Sequence, residues 1–562
     1  MSGAGAATAE AGAPLEAALQ RFAQRPDVKP AHAAALRDAL AGDAGLRAGY
    51  QALAALGQVR DFAPAPADAA LPIGRYDLGT GQITIPADQL RAEDAGASVA
   101  LAGTLRIQQM LAGYAHGHWT DAEHRDQPVS QDMVDNLQAT LNGSPALVAQ
   151  LRQASAGRAP TQAAPMRGFE SLPGTVHAGG TYNADTGALA LPPAVLHRPS
   201  AAFQSDAHAR TDLMFVLGHE LQHGLNAAAK QAERSRFIED IAQIARGGGP
   251  AHDYTVPLLR YQEAARRDEA KAQIAGWNAT LSELQQNLAG ANLAEMFDLA
   301  NRETNKGTQR INDFVVRDET SGQVTSRPGL AFEHDGSLRM TEANIAAVAR
   351  QYFDKSPEQT RIGHHGDSDY PNYYGADAVT VVIYTHRQLA RQADGSTPPI
   401  QLDMDQLRLR EVLLERNGLA FPPGSTPLPT GADTDVRQAY LDIGQDPPVA
   451  GHFDFTRTPE GTPHRHQHRP IPAPEQAGAA SGVSQPETLS GQLDRMLVAL
   501  EAGDARTFHQ MTDALAQRPA VQAMQADATH ALAQRVQAAE DEMQRFNAPP
   551  VHTPPAPVME LR

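Results

Sequence analysis

Residues Thr211–Leu225, TDLMFVLGHELQHGL, hold the pentad His219-Glu220-Leu221-Gln222-His223. The pattern is H-E-x-x-H, and the residues around it set its secondary structure. Leu213, Leu217, Leu221 and Leu225 recur every four residues, which predicts an amphipathic helix with a leucine face turned to a core. On such a helix positions i and i+4 stack, so the His219 and His223 imidazoles point at one spot. Two neutral imidazoles suit Zn²⁺, and Glu220, beside the first of them, is placed to act as general base on a metal-activated water. Zinc lowers the pKa of such a water towards ~7 and polarises the carbonyl under attack. A solvated helix face with two satisfied histidines is the bland alternative. The apolar run Leu213–Leu217 ahead of the motif and Gly224 behind it weigh against that alternative.

Composition narrows the setting. A chain of 562 residues is long enough for roughly two to four structural units. With 41% hydrophobic and 20% charged residues it is globular in kind, and it holds no apolar run of membrane-spanning length. The first twenty residues lack a basic segment followed by a leucine-rich core, so no cleavable signal peptide is expected. The expected location is either cytoplasmic or outside the cell by a route that uses no cleavable signal peptide. Against 47 Lys and Arg stand 65 Asp and Glu, a net charge of −18 that argues against a nucleic-acid partner. There is no cysteine. Disulfides and thiolate ligands are excluded, and a metal must be held by His, Asp or Glu.

The motif and its context resemble the zincin metallopeptidases. Two histidines do not complete a zinc site, so a third protein ligand is required. The helical run Val256–Leu281 offers Glu263, Asp268 and Glu269. On the face of Glu269 lie Ala265, Ala272, Gln273 and Gly276, small residues for the most part, which allow close approach to the motif helix. Glu263 shares its face with Arg260, Arg266 and Arg267, which reads as solvated. Glu269-Ala-Lys-Ala272 also resembles the E-x-x-A of gluzincins, where this Glu is the third ligand. The Asp usual after that Ala is Gln273 here, which puts the carboxylate that orients a ligand in doubt. Glu269 is the favoured ligand, and a solvated carboxylate is the alternative.

An internal echo precedes the motif. Gly74–Pro86, GRYDLGTGQITIP, recurs as Gly180–Pro192, GTYNADTGALALP, at one constant offset. Each copy reads as a hairpin with a Gly-containing turn, followed by an apolar helical stretch (104–117 and 211–224). Aligned one residue further on, His116 falls on His223, but Ala112 and Gly113 fall on His219 and Glu220, so the first copy would lack a ligand and the base. Duplication and coincidence in an alanine-rich chain are both open. In zincins a strand like the second copy lies along bound substrate at the cleft rim, which implies that role for Gly187, Ala188 and Leu189 as an unpaired edge.

The expected organisation follows. Residues 1–60 form a helical region, with Leu15, Leu19 and Phe22 at helical spacing; 61–165 form a possible degenerate hairpin–helix repeat. Residues 166–425 form an α+β, zincin-like catalytic domain, mostly helical with a small sheet. Within it a second helix is expected at Arg234–Arg246, further helix through Ser282–Val315, and a helix capped by Thr341. Gly363–Gly375, GHHGDSDYPNYYG, reads as a surface loop rich in hydrogen-bond donors. By the zincin resemblance, His364, His365, Tyr370, Tyr373 and Tyr374 are candidates for oxyanion support, with plain packing as the alternative. Ala378–Arg387 fits a strand or a helix. From about Pro422 the composition turns to Pro, Gly, Thr and Ser, which predicts a disordered linker over 426–486; His464, His466 and His468 in it read as solvated. A helical module at 487–548 completes the chain, and it resembles the C-terminal regions of bacterial type IV secretion effectors.

Together these readings imply a zinc-dependent peptidase that uses Zn²⁺ held by His219, His223 and Glu269, with Glu220 as base and a protein or cell-wall peptide as substrate. The tail resemblance implies delivery as an antibacterial effector, with the secretion machine's coupling ATPase and a cognate immunity protein as partners. Two rivals stand beside it. One is a non-catalytic scaffold with a structural zinc, which has no need of Glu220; the other is a resident housekeeping peptidase.

Overall fold

The helix that carries the motif runs without a break from Ala207 to Arg246 in a computed structural model of the chain. The structure describes residues 4–454 except 67, 92–94, 157–162, 175–178, 302–308, 364, 393–396 and 420–436. Asp206 starts the helix, its carboxylate accepting the His208 and Ala209 amides, and Gly247-Gly-Gly-Pro250 follows its end. The second helix expected at Arg234–Arg246 is thus the continuation of the first, since nothing between Leu225 and Arg246 breaks helical geometry. A partner helix spans Thr255–Asn287. The helical expectation for 282–315 holds only in part. A helix at Leu293–Asn301 and a short 3₁₀ turn at Gln309–Asp313 lead into a strand at Val315–Arg317. The fold mixes helices with small sheets, as an α+β chain should, and no described helix is long and apolar enough to cross a membrane.

Two compact units divide the chain. The first comprises residues 1–234 and 263–355, the second 235–262 and from 356 onward, so residues 166–425 fall partly in each. In the first unit Leu213, Leu217 and Leu221 are buried in a core shared with the N-terminal helices, where Leu15, Leu19 and Phe22 are also buried. Phe215 points instead into a core with Ala270, Ile274 and Trp277 of the partner helix. Burying each leucine contributes roughly 1.5–3 kcal/mol, so the motif helix is fixed from two sides before any metal is considered.

The first unit also contains two sheets of one design. In the first, β1 (Asp61–Pro64) pairs parallel with β3 (Gln82–Ile85), which pairs antiparallel with β2 (Arg75–Asp77). In the second, β4 (Gly168–Ser171) pairs parallel with β6 (Ala188–Leu191), which pairs antiparallel with β5 (Thr181–Asn183). The turns match bond for bond. Gly81 and Gly187 have φ of 68° and 66°, the left-handed region that glycine tolerates, and each donates its N–H over 2.8 Å to Asp77 O or Asn183 O. Tyr76 OH donates to Gln58 O, and Tyr182 OH to Pro165 O. A long helix follows each sheet. The sequence echo therefore corresponds to a repeated structural unit.

One expectation fails here. Gly187–Leu191 was to be an open edge, yet β6 is the central strand, paired on one side with β4 and on the other with β5. Gly187 itself sits in the turn, where Arg167 donates to Thr186 O and Asp185 O. Gly187, Ala188 and Leu189 are thus structural, and the outer strand on that side is β5.

In the second unit β7 (His252–Asp253), β8 (Ile400–Leu402), β9 (Arg437–Asp442) and β10 (Val449–Asp454) form a sheet in the order β10-β9-β8-β7. Strands β9 and β10 fall inside the stretch expected as a linker. Tyr440 and Phe453 hold them, buried and stacked with ring centroids 4.4 Å apart, and supply the apolar surface that bulk composition hid. Ala378–Arg387 is helical, inside Tyr370–Leu389. The remainder of the linker, the three histidines and the 487–548 module lie outside the described residues.

The two long helices approach each other tightly at glycines of the first unit. A Cβ on Gly218 would lie 2.9 Å from Ala275 O and from the Ala279 Cβ; one on Gly276 would lie 2.7 Å from the Phe215 ring. Interior helical glycine costs roughly 1 kcal/mol against alanine, so its use here reflects that approach. Gly218→Val is expected to lower stability by about 1–3 kcal/mol through overpacking. Gly113→Ala, at a helical site with nothing among the described residues within 4 Å, should leave the melting temperature unchanged or raise it. Thermal melting of the two variants beside the parent checks both, and equal melting for Gly218→Val would disprove the close approach.

Candidate metal centre

Close helix packing brings three side chains of the first unit together: His219, His223 and Glu269. His219 Nε2 lies 3.1 Å from His223 Nε2 and 3.6 Å from Glu269 Oε2, and His223 Nε2 lies 3.9 Å from Glu269 Oε1. Ligands 2.0–2.1 Å from a tetrahedral metal stand about 3.3 Å apart, so the observed spacings straddle the required value. The donors are two imidazoles and a carboxylate, largely buried, with ligand atoms facing one another. These residues fit a metal ion. Glu263 is not among them: it is half exposed and paired with Arg266 at 3.4 Å.

Asp268 fixes the second histidine. His223 Nδ1 donates to Asp268 Oδ2 over 2.8 Å, which leaves Nε2 turned to the donor cluster. This is the orienting carboxylate that Gln273 had put in doubt, and it comes from the residue just before the ligand. Helical geometry explains it: Asp268 is turned about 100° from Glu269 and reaches the far side of the His223 ring. The first histidine is held differently. His219 Nδ1 is buried with no hydrogen-bond partner among the described residues, as is Gln273 Oε1.

Burial and charge set the protonation pattern. Burial, then the charges of His223 and Arg310, hold the His219 imidazole well below its usual pKa. Burial also acts to lower His223, but the Asp268 hydrogen bond and the Glu269 and Asp268 charges outweigh it and bring that ring up to about 9. Asp268 is held well below the carboxylate range: burial opposes this, and the bonds and charges of His223 and Lys230 prevail. The Glu220 carboxyl is pushed up to about 7 by burial, with Glu269 adding to the rise and His223 opposing it.

Glu220 uses its two oxygens differently. Oε2 accepts the Tyr182 N–H of β5 over 3.0 Å, while Oε1 lies 4.0 Å from His219 Nε2 at the donor cluster. Glycines admit the strand to this position, since a Cβ on Gly180 would sit 2.7 Å from Val216 and one on Gly224 would sit 2.9 Å from the Tyr182 ring. Arg310, which nothing in the sequence marked, bonds Asp212 at 3.2 Å and lies over the Phe215 ring. Its charge acts on both His219 and Glu220.

The tyrosine-rich stretch is a correction. Tyr370–Gly375 is not a surface loop but the start of the helix Tyr370–Leu389 in the second unit, with Asp369 as N-cap accepting from Asn372 N and Pro371 in the first turn. Tyr370 and Asn372 are buried, and Tyr370 stacks on Tyr374, which meets Tyr373 edge-on. Tyr370 is thus part of a packed helix start, with Tyr374 partly buried against it and Tyr373 exposed. His364 lies outside the described residues.

No protein-family model, curated protein or solved structure matches the chain.

Metal content by elemental analysis checks the ligand set. Glu269→Ala is expected to abolish tight binding of one metal ion per chain, and Glu263→Ala to leave it unchanged. The reverse pattern would remove Glu269 from the site.

Proposed function

We propose that the chain is a zinc-dependent metallopeptidase with a zincin-type site. The observation that carries this reading is the meeting of His219, His223 and Glu269 with Glu220 directly beside them. A mixed nitrogen and carboxylate donor set suits zinc, whereas magnesium and calcium prefer oxygen alone. When bound, the metal supplies a water acidified towards neutrality and a Lewis acid for the scissile carbonyl. His223 presents Nε2 because Asp268 holds Nδ1. Glu220 takes a proton from the attacking water at Oε1 and hands it to the leaving amine as the C–N bond breaks and the new C–O bond remains. Its other oxygen stays anchored by the Tyr182 amide, which keeps the carboxylate at this place without blocking Oε1.

The repeat supports an extended peptide as substrate. In the first sheet Tyr76, equivalent to Tyr182, donates its N–H to Gln138 Oε1 at 2.5 Å and accepts Gln138 Nε2 at 2.8 Å. A side-chain amide there occupies the strand's outer edge as a neighbouring peptide would. In the second sheet the same N–H is donated to Glu220 Oε2, which sets the proposed base at the outer edge of β5, and an extended peptide lying along the remainder of that edge would pass beside it. Arg310 adds a positive field that favours the negative charge developing on the carbonyl oxygen.

Glu220→Gln keeps size and shape while removing the base. Metal content should stay at the parental level while turnover of any cleaved peptide falls by ~10² or more. Parental turnover in this variant would end the peptidase assignment of Glu220.

A further inference from the structure

Asp268 is 4% exposed and carries three contacts besides its role as a helical residue. Oδ2 lies 2.8 Å from both His223 Nδ1 and Lys230 Nζ, and Oδ1 accepts Asn226 Nδ2 over 2.8 Å. His223, Asn226 and Lys230 are spaced i, i+3 and i+7, which places them along one face of the motif helix. The helix that provides the ligand therefore also provides the clamp on the carboxylate that orients it. Asn226 is itself fixed, since its Oδ1 accepts Gln222 Nε2 at 2.9 Å and its NH₂ is left to face Asp268.

We propose that Lys230, assisted by Asn226, is a positioning residue of the metal site, holding the Asp268 carboxylate against His223 so that Nε2 keeps its direction towards the metal. The proposal rests on the reading of His219, His223 and Glu269 as metal ligands. Its physical ground is the cost of a buried carboxylate. An unpaired charge in that position is expensive, and one made good by a counter-charge and hydrogen bonds is tolerated. A metal-binding imidazole is neutral, so in a loaded site the cationic side chain in direct contact with the Asp268 carboxylate is Lys230. Its stem runs over the helix surface while the head reaches inward, which is why its side chain is 44% exposed and still bonded to a buried group. Without that ammonium Asp268 is free to turn to solvent, and His223 loses the bond that sets its ring plane.

The test uses the full chain with zinc and with cobalt(II), neither requiring a substrate. Lys230→Met retains length and apolar stem but has no charge or donor; Lys230→Arg keeps both. Zinc dissociation constants come from chelator competition, and the visible d–d bands of the cobalt form report ligand geometry. Lys230→Met is expected to bind zinc about 10-fold or more weaker and to shift the cobalt bands, within the range seen when such outer partners are removed. Lys230→Arg should return both towards the parent, and Asn226→Ala should weaken binding in the same direction by a smaller factor. A role confined to stability would lower the melting temperature of Lys230→Met and leave both metal readouts at parental values, and that result overturns the proposal. If the parent itself takes up no zinc, the ligand assignment fails and the clamp fails with it, an outcome distinct from a parent and Lys230→Met that bind equally. Because Lys230 is near the surface its variants should fold; should Lys230→Met not do so, parental binding in Asn226→Ala together with Lys230→Gln would overturn the proposal in its place.

Discussion

Contact between the motif helix and its partner at Gly218 and Gly276 is the constraint from which the rest of the first unit follows. A glycine facing Ala275 and Ala279 on one side, and another facing Phe215 on the other, lets two helix backbones approach as larger side chains would forbid. At that separation a glutamate on one helix reaches between two histidines on the other. Every polar feature of the centre depends on that spacing: the His219–Glu269 distance, the Asp268 bond behind His223, and the burial that raises Glu220. The leucines on one side and Phe215 with Trp277 on the other hold the helix in place, so the donors converge by packing rather than by attraction for one another.

Much of this centre was legible in the sequence because it depends on helical periodicity, which is local. Four leucines at a spacing of four placed His219 and His223 on one face, and small residues at Ala272 and Gly276 singled out Glu269 over Glu263. What stayed hidden depends on pairing across distance. Nothing local tells that Gly168–Ser171 returns to lie parallel to β6, and that pairing is what turns the supposed edge strand into a central one. Asp268 stands among the candidate carboxylates, but its place behind His223 depends on which side of that ring it meets, and the periodicity of one helix does not tell this. Tyr370–Gly375 was read by composition, while the local signals, an Asp at the cap and a Pro in the first turn, describe a helix start. In β9 and β10 the aromatic pair Tyr440 and Phe453 mattered more than the prolines around it.

The repeated sheet shows how one local design serves two ends. Both copies share strand order, turn chemistry and a tyrosine whose hydroxyl ties the sheet to the chain three residues ahead of its first strand. They differ in what meets the outer strand. Gln138 closes the first edge with an amide, and Glu220 meets the second with a carboxylate. The following helix differs in the same sense, since Ala112 and Gly113 stand where the second copy carries His219 and Glu220. The donor cluster thus belongs to the second copy alone, while the first meets its outer strand with an uncharged amide.

Zinc K-edge absorption on the zinc-loaded full-length chain tests the central claim most directly, because it reads the coordination shell itself. Two imidazole nitrogens with carboxylate oxygen and one further light atom, four in all at about 2.0–2.1 Å, is the expected shell. A shell of six oxygens without imidazole, or a chain that retains no zinc, would contradict the assignment of His219, His223 and Glu269 as a metal centre.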